Sequence, residues 1–259
     1  MLELNLTGQK VAVFGASRGI GAAIAEAFLA EGCNVFGFDQ TTVAHFQGRD
    51  GISLFAGDIT SDKDIESFLS QLPPVDHVVY SVGIGSGAFG FPFWKVETNL
   101  WFKVLDVNLL GAVRVAKAFG PLMADRRRGT MLFLSSVAGQ IGSQTDPPYS
   151  ASKAGLNNFV QCVAKDLAPF GVRANTISPG MVKTELNHSV WQASQDGIPE
   201  PFRTDYLTWA DEKIRKVSPL GRWQELHEFA AMSVFLASEY SRNITGQTIN
   251  IDGGWVMHS

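Results

Sequence analysis

Short runs of nearly unbroken apolar residues alternate along this chain with longer stretches in which apolar side chains return every three or four positions. Residues 10–14, 34–38, 52–55, 77–80, 131–134, 173–177 and 248–251 read as strands covered on both faces, as in a parallel sheet. Residues 20–30, 62–70, 100–124, 149–168 and 223–237 read as helices. Strands alternating with helices imply right-handed crossovers and a doubly wound α/β sheet. No linker or repeat divides the chain, so residues 1–259 read as one domain. Two stretches break the rhythm. Residues 83–94 form a glycine and aromatic loop after a strand, and residues 179–222 hold four prolines together with Trp191, Phe202, Tyr206 and Trp209. A long segment at the carboxyl end of a strand is where open α/β sheets place a ligand, so residues at about 181–222 are expected to form a substrate lid.

Composition narrows the class. With 259 residues, 45% hydrophobic and 18% charged, the chain buries enough surface to offset its ordering entropy, which excludes disorder. A net charge of −4 lacks the basic face of a nucleic-acid binder. The one basic run, Arg126, Arg127 and Arg128, precedes Gly129 and reads as the solvated end of a helix. Two cysteines, Cys33 and Cys162, make no disulfide framework, which suits a reducing compartment. The first residues show no signal-peptide pattern, and no apolar run approaches the length of a membrane span. The expectation is a cytoplasmic protein without membrane or nucleic-acid partners. His45, His77, His188, His227 and His258 fall at no metal-ligand spacing, so no catalytic metal is expected.

The first strand runs into Gly15-Ala16-Ser17-Arg18-Gly19-Ile20-Gly21 and then a helix. Strand, glycine turn and helix N-terminus favour phosphate through bare backbone N–H groups and the helix dipole. The spacing is GxxxGxG rather than GxGxxG, and alone it also suits a purely structural turn. Eighteen residues after Gly21, Asp39 ends the second strand, where a carboxylate accepts hydrogen bonds from an adenosine ribose. It also repels a 2′-phosphate by about 1–4 kcal/mol at contact distance. Asp39 therefore favours NAD over NADP, while Arg18 in the loop pulls the other way. Asp58, ending the third strand, either hydrogen-bonds an adenine amino group or caps the helix that starts near Asp62.

Tyr149 and Lys153 stand four apart at the start of a helical stretch and share a face. A phenol is a poor base at neutral pH, but an adjacent ammonium favours its phenolate. The pair supplies a base for an alcohol proton or an acid for a carbonyl oxygen. Ser136, thirteen residues before Tyr149 and just beyond a strand, can hydrogen-bond the same substrate oxygen. Asn108 interrupts an apolar helical pattern, which suggests a local kink or a bound water, or else a satisfied core amide.

Gly15-x3-Gly19-x-Gly21, Asp58, Asn108, Ser136, Tyr149-x3-Lys153, Pro179-Gly180, Ile244-Thr245-Gly246 and Asp252-Gly253-Gly254, in this order, together resemble the short-chain dehydrogenase/reductase family. The resemblance spans nearly the whole chain. It implies a single-domain Rossmann-type sheet of seven strands, a nicotinamide cofactor, and a catalytic tetrad of Asn108, Ser136, Tyr149 and Lys153. It also implies cofactor contacts from the glycine loop (Gly15, Ser17, Arg18, Gly19, Ile20, Gly21), from Asp39, Asp58, Ile59 and Gly83, and from Tyr149. Lys153 would contact the nicotinamide ribose, with Pro179, Gly180, Val182 and Thr184 bordering the nicotinamide end. Homotetramers are common in the family, and a homodimer is the smaller alternative. The chain departs from the family pattern in two places. Phe14 stands where Thr is usual, and Tyr80-Ser81-Val82-Gly83 replaces Asn-Asn-Ala-Gly, changes that bear on stability and cofactor affinity more than on chemistry. The stretch from Asp39 to Ile52 is also too short for a full helix.

The leading expectation is an NAD-dependent enzyme interconverting a secondary alcohol and a ketone. Polar residues before Tyr149, with Gln144 and Thr145 among them, and His188 in the lid favour a sugar, polyol or hydroxy acid. The aromatics at 89–94 and 191–209 favour something more apolar, such as a 3-oxoacyl thioester, though no basic patch for a carrier protein is evident. A nicotinamide-binding regulator without turnover is the third reading, which fold alone does not exclude.

Overall fold

The computed structural model describes residues 3–41, 46, 48–88, 93–143, 145–195 and 198–257. Seven parallel strands lie in the order β3-β2-β1-β4-β5-β6-β7. They are β1 (Lys10–Phe14), β2 (Asn34–Asp39), β3 (Ile52–Ala56), β4 (His77–Tyr80), β5 (Gly129–Leu134), β6 (Val172–Pro179) and β7 (Thr248–Ile251). Helices α1 (Gly19–Ala30) and α8 (Leu226–Ala237) cover one face. The other face carries α2 (Asp62–Ser70), α4 (Gly111–Arg126) and α5 (Pro147–Leu167), with α3 (Thr98–Leu105) against α5.

The near-continuous apolar strands are explained by this sandwiching. In β1, Ala12 and Phe14 enter the core under α2, α4 and α5, while Val11 and Val13 enter the core under α1 and α8. Phe14 is fully buried and meets Phe68 and Phe119 edge-to-face at 5.4 and 5.7 Å. Its aromatic bulk is thus core packing. The crossing from β2 to β3 carries no α-helix among the described residues, as its length required.

Three stretches take a more definite form than the sequence pattern showed. The helix expected at 100–124 is continuous from Thr98 to Arg126 but contains a π-helical turn at Asp106–Leu110, centred on Asn108. At 29 residues this helix is long and apolar enough to cross a membrane, although Lys103, Asp106, Arg114 and Lys117 break any continuous apolar run. Here Val115 and Phe119 enter the core beside the sheet, and Val104 is buried on α3. The arginine run is only partly solvated: Arg126 ends α4 and donates to the Val75 carbonyl, and Arg126 and Arg128 reach the Asp76 carboxylate at 3.7 and 3.1 Å.

Candidate active site

The chain leaves the carboxyl end of β1 through Gly15 and Gly19, both in the left-handed region at φ +82° and +56°. Gly21 packs against the loop it follows, and a Cβ there would stand 2.0 Å from the Gly15 carbonyl oxygen. The chain can therefore turn tightly from strand to helix only with glycine at these positions. Arg18 occupies the N-cap of α1 without any side-chain cap, so the N–H groups of the first turn are left for an anion. This cradle fits the pyrophosphate of a dinucleotide.

Ser17 and Asp39 hold each other. The Asp39 carboxylate accepts the Ser17 and Gln40 main-chain N–H groups at 3.0 and 2.8 Å, and the Ser17 hydroxyl donates to the Thr41 carbonyl at 2.6 Å. Ser17 thus braces the loop against β2, and Asp39 stands at the end of that strand as expected. Arg18 turns toward the 179–222 segment and pairs with Glu185 at 2.6 Å, both side chains well exposed. Asp58 does not cap α2; Ser61 does, accepting from Asp64 N–H. The Asp58 carboxylate instead accepts the main-chain N–H and hydroxyl of Thr60, which hold it below the ordinary carboxylate range. The Ile59 side chain is buried in the core, so any cofactor contact from this residue would come from its main chain.

Tyr149 and Lys153 lie one turn apart on α5, whose first turn is capped by Asp146. The Lys153 Nζ sits 5.6 Å from the Tyr149 ring centroid and donates to the Leu134 carbonyl at 2.8 Å. Ser136 follows β5, and its hydroxyl reaches Tyr149 as well as accepting from Ala138 N–H. Burial pushes Tyr149 up to about 12, a hydrogen bond from Ser136 draws it down, and the Asp146 carboxylate raises it. Burial also pushes Lys153 down to about 7. Desolvation thus favours the neutral form of both groups, opposing the phenolate that the pairing alone would favour.

Asn108 is fully buried in the π-helical turn, the kind of helix irregularity its mid-helix position suggested. Its Oδ1 accepts Ile84 N–H at 2.8 Å, and its Nδ2 donates to the Ile84 carbonyl at 2.9 Å and to Ser152 Oγ at 3.0 Å. Gly83 backs onto the lysine, where a Cβ would stand 3.2 Å from Nζ. The four candidate tetrad residues are thus linked through β5, α5 and the loop after β4, at the carboxyl side of the sheet.

Beyond β6, Gly180 approaches the Asp252 backbone so closely that a Cβ would lie 2.7 Å from its Cα. Gln224 accepts Met181 N–H at 2.6 Å, and Asp252 accepts Gly254 and Val256 N–H. Asn250 exchanges two amide hydrogen bonds with Gln140, at 2.6 and 3.0 Å, just past the Ser136 turn. The Pro179-Gly180 and Asp252-Gly253 motifs therefore meet as one interlock. Sequence reasoning missed Gln224, whose partner Met181 is distant in the chain, and Asp146, whose place before Pro147 is a local N-cap signal. Val182 is buried, and the Thr184 hydroxyl accepts from Asn187 N–H.

The 179–222 segment holds two helices, α6 (Glu185–Gln195) and α7 (Tyr206–Val217). His188 packs against Trp191 and Tyr206, each ring centroid 4.9 Å away, so the structure puts it in an aromatic cluster and not in the tetrad's hydrogen-bond network. Gln144 and residues 89–92 lie outside the described residues, while Phe93 and Trp94 are exposed and meet edge-to-face at 5.3 Å.

A family model described as enoyl-(acyl carrier protein) reductase matches residues 15–256. The chain is 29% identical to the 3-oxoacyl-[acyl-carrier-protein] reductase FabG of Escherichia coli strain K12, over 98% of this chain and 100% of that one. It is 27% identical to the solved structure of a candidate gluconate dehydrogenase from Agrobacterium tumefaciens, with a TM-score of 0.85 over 99% of this chain and 100% of that one. An actinorhodin polyketide ketoreductase variant, solved with NADPH, is also 27% identical, with a TM-score of 0.84 over 96% and 97% of the two chains.

Proposed function

Because this chain belongs to the short-chain dehydrogenase/reductase family and is an oxidoreductase acting on alcohol or keto groups with a nicotinamide cofactor, we propose that it interconverts a secondary alcohol and a ketone with NAD(H). The observation that carries the proposal is the placing of Tyr149 and Lys153 one turn apart on α5, with Nζ 5.6 Å from the phenol ring, beside the Ser136 turn. A nicotinamide held here would supply the hydride chemistry. Ser136 holds the substrate oxygen and Tyr149 passes the proton to or from it, while Lys153 would hold the nicotinamide ribose. Asn108 fixes the loop that faces them. Gly15, Ser17, Arg18, Gly19, Ile20 and Gly21 would cradle the pyrophosphate, and Asp39 would bind the adenosine ribose.

The preference for NAD rests on the Asp39 carboxylate, which would face a 2′-phosphate, and on the engagement of Arg18 by Glu185. The ketoreductase solved with NADPH supports the opposite preference. For substrate, we propose a sugar, polyol or hydroxy acid, with residues 181–222 as the lid. The candidate gluconate dehydrogenase supports this reading. The second reading, reduction of a 3-oxoacyl thioester, is supported by the FabG relative. A cytoplasmic homotetramer or homodimer accompanies either reading.

The test is nicotinamide reduction or oxidation by purified protein with NAD(H) and NADP(H). The panel spans sugars, polyols, hydroxy acids and a 3-oxoacyl thioester. Tyr149→Phe should lower kcat at least about a hundredfold without loss of nicotinamide binding. Turnover that survives this change would overturn the role of Tyr149, and a preference for NADP would overturn that of Asp39.

A further inference from the structure

The loop after β4 is held at two alternate residues. Ile84 is clamped through both main-chain polar groups by Asn108, whose amide also reaches Ser152 on α5. Two residues on, Ser86 N–H donates to Asp146 Oδ2 at 2.7 Å, while Asp146 Oδ1 accepts Tyr149 N–H at 3.2 Å. One carboxylate therefore spends both oxygens, one on the loop and one on the first turn of α5. We infer that Asp146 is a positioning residue, tying residues 83–88 to the end of α5 that presents Tyr149, so that one side chain registers the loop against the reacting hydroxyl. The inference rests on the oxidoreductase reading for its effect on turnover, and on geometry alone for the tether.

The chemistry favours a carboxylate here. A neutral cap such as serine satisfies Tyr149 N–H but has no second acceptor oxygen directed at Ser86. Both bonds are charge-assisted, which strengthens them and resists fraying. The charge acts on the phenol too. Among the described residues, the groups acting on Tyr149 are Ser136 from beyond β5, Lys153 on α5 and Asp146 at its N-cap, and of these Asp146 is the negative charge that raises the phenol.

Asp146→Asn keeps one acceptor for the helix cap and loses both the second oxygen and the charge. In this variant, hydrogen exchange of amides 83–88 should quicken about tenfold or more. The rest of α5 should keep its wild-type rate. In the holoenzyme with the best substrate of the panel, KM should rise about tenfold, kcat should fall by less, and the alkaline rise of kcat/KM for alcohol oxidation should move to lower pH. Asp146→Glu, which restores the charge on a longer arm, should return the pH profile toward wild type. Unchanged exchange at 83–88 would overturn the tether whether or not any substrate turns over. An unmoved pH profile with a uniform loss of melting temperature would reduce Asp146 to a helix cap and overturn its action on Tyr149. Absence of turnover across the wild-type panel would count against the oxidoreductase reading and leave the exchange rates to judge the tether.

Discussion

Tyr80 is fully buried at the end of β4, and its hydroxyl donates to the carbonyl of Val107, inside the π-helical turn. Gly111 makes the approach possible, since a Cβ there would stand 2.4 Å from the Tyr80 hydroxyl oxygen. The residue that replaces a family asparagine thus braces the turn that aims Asn108, a role in the site as much as in stability. Tyr80→Phe should cost about 1 kcal/mol in urea unfolding. It should also lower kcat more than the stability loss alone explains, because Asn108 loses its support; equal kcat in variant and wild type would count against the brace. At this scale the glycine spacing, Tyr149-x3-Lys153 and Ser136 were legible because each is a local pattern. The Tyr80–Val107 and Ser86–Asp146 bonds span 27 and 60 residues, and no local pattern encodes such a distance. The direction of the tyrosine and lysine shifts was also beyond the sequence, because it depends on how deeply α5 seats both groups.

Among elements, the strands lie within two residues of their expected bounds, since a strand buried on both faces declares itself by unbroken apolar sequence. The 179–222 segment was harder to read. Its prolines suggested irregular chain, yet they flank the helices without interrupting them: α6 begins beyond Pro179, and α7 lies between Pro201 and Pro219. The start of α7 is set by Asp205, which accepts the Leu207 and Thr208 N–H groups. Helix α7 presents Tyr206 and Trp209, and Tyr206 meets His188 and Trp191 of α6. Asp205→Ala should therefore loosen the start of α7 and lower the midpoint of urea unfolding. Trp fluorescence should report a looser ring cluster, whereas an unchanged spectrum and midpoint would show that packing alone holds α7.

Across the whole molecule, His77 joins three neighbouring segments at the amino side of the sheet. From β4 its Nδ1 meets Thr130 Oγ1 on β5 at 2.7 Å and its Nε2 meets Gln9 Oε1 at 2.6 Å, with Phe28 stacked alongside. Burial pushes it down from 6.5 to about 4. The unfolded chain therefore binds the extra proton first, and stability falls as pH drops through the window between those values. From pH 7 to 5 the loss attributable to His77 is about 2 kcal/mol. Urea unfolding at both pH values should show that difference shrink in His77→Gln. An identical pH slope in the variant would place the acid sensitivity elsewhere.

The interlock of Gly180 with Asp252, and of Gln140 with Asn250, has a consequence in time. Strand β7 pairs with β6 from some 70 residues further along, so it is among the last parts of the fold to emerge during synthesis. Contacts of such long sequence separation form late in folding. The glycine loop, the serine turn and the tyrosine helix are all translated before the segment that pins the exit of β6. A partly made chain can thus carry Ser136, Tyr149 and Lys153 and still lack the contacts that fix the exit of β6, so the proposed site is completed only when β7 docks.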